Sequence, residues 1–209
     1  MKNIKADYFI YAFFVIAGAC VVFLCIQNVK QRDTIQSMVK VNQVKEQSLI
    51  IENERKYNYF SLKENGIEIN KSILLEDSAK ILFSNYIKSI KRPRLILRFS
   101  YLGCNACIDS ALSKLKKYDD LQENAAIFAT YRNKIDLFKF NTVNRITLPS
   151  YNIKEGEKVL RADELLLPYM FILKPNNNQI YDLFFPIKEE PKRTEEYLET
   201  IAEKYFIKS

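Results

Sequence analysis

The chain contains no histidine. Without an imidazole, Ser-His-Asp and Cys-His catalysis are excluded, and ordinary zinc or non-haem iron sites lose their commonest ligand. Tryptophan is absent too, and 209 residues include only four glycines. That leaves little room for a phosphate loop, a dinucleotide fingerprint or a calcium loop, and no such motif is found. Cysteine is also scarce: the four present fall into two separate pairs. Cys20 and Cys25 lie inside an apolar N-terminal run. They can neither staple a globular domain nor complete a four-ligand metal site with Cys104 and Cys107, so no metal and no cofactor is expected.

What is present begins with charge. The formal net charge is +7, with bases clustered at Lys88, Lys91, Arg92, Arg94 and Arg98 and again at Lys114, Lys116 and Lys117. Acidic residues are interspersed throughout and no recognition motif accompanies the bases. They read as solvated faces, and no nucleic-acid partner is expected.

From Tyr8 to Asn28 no side chain is charged. A helix of about 20 such residues spans a hydrocarbon core about 30 Å thick, so residues 1–28 read as a transmembrane anchor or a signal segment. Ala17-Gly18-Ala19 resembles a small-residue cleavage pattern, and Cys20 directly after it permits a lipoprotein-type anchor. The apolar run continues through Ile26, which favours the uncleaved helix over the lipoprotein. Lys2 and Lys5 before the run balance Lys30 and Arg32 after it, so flanking charge does not set the orientation. Residues 29–57 are polar and helix-prone, with scattered Ile35, Val39, Val41, Val44, Ile50 and Ile51 that keep no clean heptad. They read as a helical stalk through which self-association is open.

Residues 58–209 read as one soluble domain. Ile67 to Leu75 alternates like an early strand, and residues 77–90 carry apolar positions at helical spacing that stop before Pro93. Arg94 to Ser100 is an apolar run short enough for a buried strand. Ile108, Ala111, Leu112 and Leu115 then recur at i, i+3, i+4 and i+7, which predicts an amphipathic helix. Ala125 to Tyr131 is the next strand and 133–143 the next helix. Tyr169 to Leu173 and Gln179 to Phe185 form a hairpin around a turn containing Asn176, Asn177 and Asn178. Thr194 to Phe206 is the closing helix. This order predicts an α/β domain with a mixed central sheet.

Between the strand 94–100 and its helix stands Gly103-Cys104-Asn105-Ala106-Cys107. One helical turn brings the two sulfurs within disulfide reach, and the helix N-terminus favours a thiolate at Cys104. The chemistry this allows is attack of Cys104 on a partner disulfide, followed by attack of Cys107 on Cys104.

On the strand Leu95 to Ser100, the pair Cys104 and Cys107 opening a helix, and Leu167-Pro168-Tyr169 entering a hairpin strand, the chain resembles the membrane-tethered thioredoxin-like proteins of bacterial envelopes. The resemblance covers about residues 60–207. It implies a thioredoxin-like mixed sheet flanked by helices, a cis peptide at Pro168 beside the disulfide, and an apolar substrate groove bordered by Leu102, Gly103, Leu167 and Pro168. It also implies protein thiols or disulfides of the envelope as partners, with a single-pass inner-membrane protein whose domain faces the periplasm. The chain departs from the family pattern in three ways. Gly103 stands where tryptophan is usual, Asn105-Ala106 where Gly-Pro is usual, and Arg98 lies on the strand where no equivalent of the buried acid is found.

Zinc would need two further soft ligands. Haem attachment would need histidine where Ile108 stands, and the Pro and Thr of peroxiredoxins correspond here to Leu97 and Tyr101. The open alternative is a redox-inactive thioredoxin-like domain serving as a tethered interaction module, since cysteines are often plain core residues.

Overall fold

The computed structural model describes residues 4–77 and 79–207; within its first helix, the side chains of 4–17, 19–22, 46–51 and 53 are outside that description. The chain forms two compact units, Met1–Arg55 and Lys56–Ser209. Helix α1, Ile4–Glu64, contains no proline, and it ends where Gly66 takes the left-handed conformation that glycine tolerates best. In the first unit Ile35, Met38, Val39, Val41 and Val44 are exposed. Among the described residues no helix is long and apolar enough to cross a membrane. Most side chains of the run Tyr8 to Asn28, on which the expected anchor stands, lie outside the described residues.

The second unit is built on a seven-stranded sheet. Its strands are β1 (Leu74–Glu76), β2 (Lys80–Leu82), β3 (Arg94–Ser100), β4 (Ala125–Thr130), β5 (Ser150–Ile153), β6 (Tyr169–Leu173) and β7 (Ile180–Phe184). They lie in the order β2-β1-β5-β4-β3-β6-β7. β3 runs parallel to β4, and β4 parallel to β5. β6 is antiparallel to β3, and β7 to β6. The helices are α2 (Phe83–Ser89), α3 (Asn105–Leu115), α4 (Asp119–Glu123), α5 (Lys134–Val143) and α6 (Pro191–Tyr205), with a 3₁₀ helix at Arg161–Leu165. The architecture is the mixed α/β sheet flanked by helices that the element order predicts.

Strands covered on both faces need apolar side chains at every position, and β4 and β6 are buried throughout. Alternation along β3 divides the core. Ile96 packs with Phe83, Tyr86, Phe128, Phe171 and Tyr57, the last from the final turns of α1. Leu95, Leu97 and Phe99 pack on the opposite face with Ile108, Ala111, Leu112 and Leu115 of α3 and Leu198, Ile201 and Ala202 of α6. Arg98 shares the parity of Ile96. It therefore points away from α3, toward the 3₁₀ helix.

Three local differences from the sequence reading have simple causes. The stretch Ile67 to Leu75 pairs only at a Glu68–Gln179 bridge and then at β1. The helix expected from residue 77 starts at Phe83, because Ile81 opposite buried Leu75 draws Lys80–Leu82 into the sheet. The sequence reading assigned no element to β5, whose tetrapeptide Ser-Tyr-Asn-Ile is half polar. There Asn152 is buried and its Oδ1 accepts from Tyr131 N at 2.8 Å, so its amide oxygen is satisfied inside the fold.

Candidate thiol-disulfide site

β3 ends at Ser100, and the chain turns sharply into α3. Gly103 N donates to Ser100 O at 2.9 Å, Leu102 N to Ser100 Oγ at 3.3 Å, and Tyr101 N to Thr130 O at 3.0 Å. The turn delivers Cys104 to the N-cap of α3, with φ −74° and ψ 97°. Cys104 and Cys107 are joined by a disulfide, their Cα atoms 5.3 Å apart. Cys107 N donates to Cys104 Sγ at 3.3 Å, the contact that favours negative charge on this sulfur when it is reduced. The two sulfurs are not equivalent. Cys104 is half-buried, whereas Cys107 is 4% exposed within the α3 core face. An incoming reactant therefore reaches Cys104 first.

The loop that carries the expected groove residues Leu167 and Pro168 meets the cysteines through the residue just before them, which the sequence reading did not single out. Cys104 N donates to Leu166 O at 3.2 Å. Leu166 follows the 3₁₀ helix in the left-handed conformation, φ 52°, and the chain then enters β6. Its carbonyl comes so close that a Cβ on Gly103 would stand 2.6 Å from Leu166 O and 3.1 Å from Ser100 O. Gly103 is therefore required by space. It leaves no room for the bulky tryptophan that the resemblance places there.

Of the expected groove residues, Leu102 is 57% exposed beside the disulfide. Leu167 is half-buried against the core on the Ile96 face, and Pro168 is buried. The exposed leucine of that loop is Leu166, at 48%. The cis peptide implied at Pro168 is corrected: no peptide bond among the described residues is cis. The unusual backbone conformation before β6 is the left-handed one at Leu166.

Behind the loop lies a polar network. Arg98 is 2% exposed. Its Nε donates to Asp163 Oδ1 at 3.0 Å, Nη1 to Phe99 O at 2.8 Å, and Nη2 to Thr130 Oγ1 at 2.8 Å. Asp163, within the 3₁₀ helix, also accepts from Val159 N at 2.7 Å and Tyr169 Oη at 3.1 Å. Burial raises the Tyr169 phenol well above its usual value, and the neighbouring Asp163 charge adds to this. Tyr169 is thus a neutral donor. A buried guanidinium lies on the strand leading to the cysteines, and its charge is answered by Asp163. One signal for it was legible: Arg98 is the lone charge within the apolar stretch Leu95 to Phe99, and fully buried charges are normally paired. No local pattern marks Asp163 or Leu166.

A sheet with parallel β3, β4 and β5, the antiparallel hairpin β6–β7, and a Cys-x-x-Cys disulfide opening the helix after central β3 defines a thioredoxin-like domain. No protein-family model matches the chain, and no curated protein sequence matches it. Among solved structures, similarity is found to a thiol:disulfide interchange protein from Bacteroides sp., at 13% identity and TM-score 0.46 over 65% of this chain and 90% of that one. A thioredoxin-like protein from Porphyromonas gingivalis is similar at 17% identity and TM-score 0.47, over 66% of this chain and 95% of that one. Peroxiredoxin Q of Xanthomonas campestris, as a C84S mutant, is similar at 13% identity and TM-score 0.46, over 66% of this chain and 99% of that one. Overlaps of this size fix neither activity nor substrate; the class rests on the strand order and the cysteine pair.

Proposed function

We propose that the protein carries out thiol-disulfide exchange with protein partners through Cys104 and Cys107, tethered to the envelope membrane by its N-terminal segment. The observation that carries this reading is the asymmetry of the pair: a half-buried Cys104 at the helix N-cap, bonded to a buried Cys107. In the reducing direction, the Cys104 thiolate attacks a partner disulfide. One partner sulfur joins Cys104 and the other leaves as a thiolate that takes up a proton. Cys107, deprotonated, then attacks Cys104 Sγ, closing the internal disulfide and releasing the second partner thiol. Two electrons pass to the partner, and the reverse sequence oxidises a partner dithiol. Leu102, two residues before Cys104, and Leu166, whose carbonyl accepts from Cys104 N, present exposed apolar surface.

Support for the tether is the uncharged run Tyr8 to Asn28, long enough to span a bilayer as a helix. The periplasm-facing orientation is carried by the resemblance to envelope thioredoxin-like proteins.

The test is a redox titration of the full-length protein in glutathione buffers, with Cys104 and Cys107 read by thiol alkylation and mass spectrometry. A reversible two-electron transition in which Cys104 is alkylated ahead of Cys107 is expected. Thiols that react only when the domain unfolds would overturn the reading in favour of a redox-inactive interaction module.

A further inference from the structure

Glu64, in the last turn of α1, is 2% exposed, yet only half of its carboxylate is satisfied. Oε2 accepts from Ala162 N at 3.2 Å, and Oε1 is buried without a partner. Burying a carboxylate in this way opposes folding, and an apolar side chain of similar size would avoid the penalty. A role for the charged group is therefore to be found in what it holds.

It holds the beginning of the 3₁₀ helix Arg161–Leu165. That helix ends at Leu166, whose N–H donates to Asp163 O at 3.3 Å and whose carbonyl accepts from Cys104 N at 3.2 Å. The middle is fixed by the Asp163–Arg98 pair. Five residues thus form a short strut with one end on Glu64 and the other on the reactive cysteine.

We propose that Glu64 is a positioning residue for Cys104, anchoring the 3₁₀ helix so that the Leu166 carbonyl pins Cys104 at the N-cap of α3. The proposal rests on the exchange reading above. While the pin holds, Cys104 Sγ stays within reach of Cys107 N–H, the donor that stabilises its thiolate. When the strut loosens, the N-cap geometry loosens with it and the thiolate loses that donor. Charge-assisted bonds are stronger than neutral ones, so a glutamine would hold the strut less firmly than the carboxylate and an alanine not at all.

The experiment compares full-length wild type, Glu64→Gln and Glu64→Ala after reduction. Alkylation of Cys104 is followed from pH 5 to pH 9 by mass spectrometry, with the redox potential measured in the same samples. Wild type should react fastest at neutral pH, Glu64→Gln more slowly, and Glu64→Ala about threefold or more slowly than wild type, because its thiol titrates at higher pH. A folded Glu64→Ala protein with the wild-type pH profile and potential would reduce Glu64 to a structural role and overturn the proposal. Should Glu64→Ala fail to fold, Glu64→Asp, which withdraws the charge by one methylene, takes its place with the same two readings. A wild-type Cys104 no more reactive than an unfolded cysteine would overturn the exchange reading, and this proposal with it.

Discussion

Gly103 is the position where the least change should matter most. A single methyl would meet two backbone carbonyls, those of Leu166 and Ser100, and backbone cannot step aside as a flexible side chain can. Gly103→Ala is expected to destabilise the domain by about 1–3 kcal/mol, the usual cost of overpacking, and to disturb Cys104 in the same stroke. Denaturant unfolding measures the first effect and Cys104 alkylation the second. Arg98 makes a different demand. Arg98→Met leaves the Asp163 carboxylate facing an apolar wall, and breaking one partner of a buried pair costs about 3–5 kcal/mol. Adding Asp163→Asn should recover part of that loss, because the orphaned charge is then gone; a double variant no more stable than Arg98→Met alone would count against the pair. Glu64 gives the pH-dependent case. Burial is the main cause holding its carboxyl above the ordinary 4.5, and Asp163 adds to the rise against opposition from the Ala162 and Arg161 N–H groups and the Arg161 charge. A raised pKa means that the folded protein binds this proton more tightly than the unfolded chain. The contribution is full below the ordinary carboxylate value and is lost as pH rises through the folded one. The stability of Glu64→Gln relative to wild type should therefore improve as pH rises above the ordinary carboxylate value, and a flat difference would show that the carboxyl is not shifted.

At the scale of elements, what the sequence revealed depended on whether a segment's periodicity was unambiguous. The apolar run of β3 and the i, i+3, i+4, i+7 pattern of α3 left only one face each to bury, so both were legible. Leu112→Ala on that face should cost about 2–5 kcal/mol, as large-to-small changes in a closed core do, which thermal or denaturant melting will show. The neighbouring surface contact should behave otherwise. Glu195 of α6 reaches Lys114 of α3 and Lys117 in the turn just after it at 2.7 and 2.9 Å, and bonds to the two ammonium groups hold its carboxyl down to about 2. It is solvated, so Glu195→Gln should change stability far less than Leu112→Ala. The segments that stayed illegible are short or polar. Lys80–Leu82 fits either a helix or a strand by spacing, and its pairing with β1 decides. β5 and the 3₁₀ helix carry too few apolar residues for any period to show. The candidate site divides along the same line, since its cysteines sit on legible elements while Leu166 sits on one that was not.

For the whole molecule, the membrane tether is the claim with the most direct test. Full-length protein expressed in a bacterium should stay with membranes after an alkaline carbonate wash. Ile16→Lys combined with Val21→Lys should release it, since each lysine near the centre of a spanning helix costs about 2.5–3.5 kcal/mol on insertion scales. Retention unchanged by both charges would remove the spanning helix from the reading.

The sequence by itself determined the Cys-x-x-Cys spacing, the uncharged run near the N-terminus, the buried strand and amphipathic helix around the cysteines, and the exclusion of histidine chemistry. Each of these is local, set by residues a few positions apart. The tertiary structure alone decided that Arg98 is answered by Asp163, 65 residues away, that Glu64 caps a helix 98 residues away, and that the Leu166 carbonyl closes on Gly103 and Cys104. Periodicity tells which side chains must leave water. The partner of a buried polar group is fixed by the path of the chain, and that path is a property of the packed sheet and not of any short stretch of sequence.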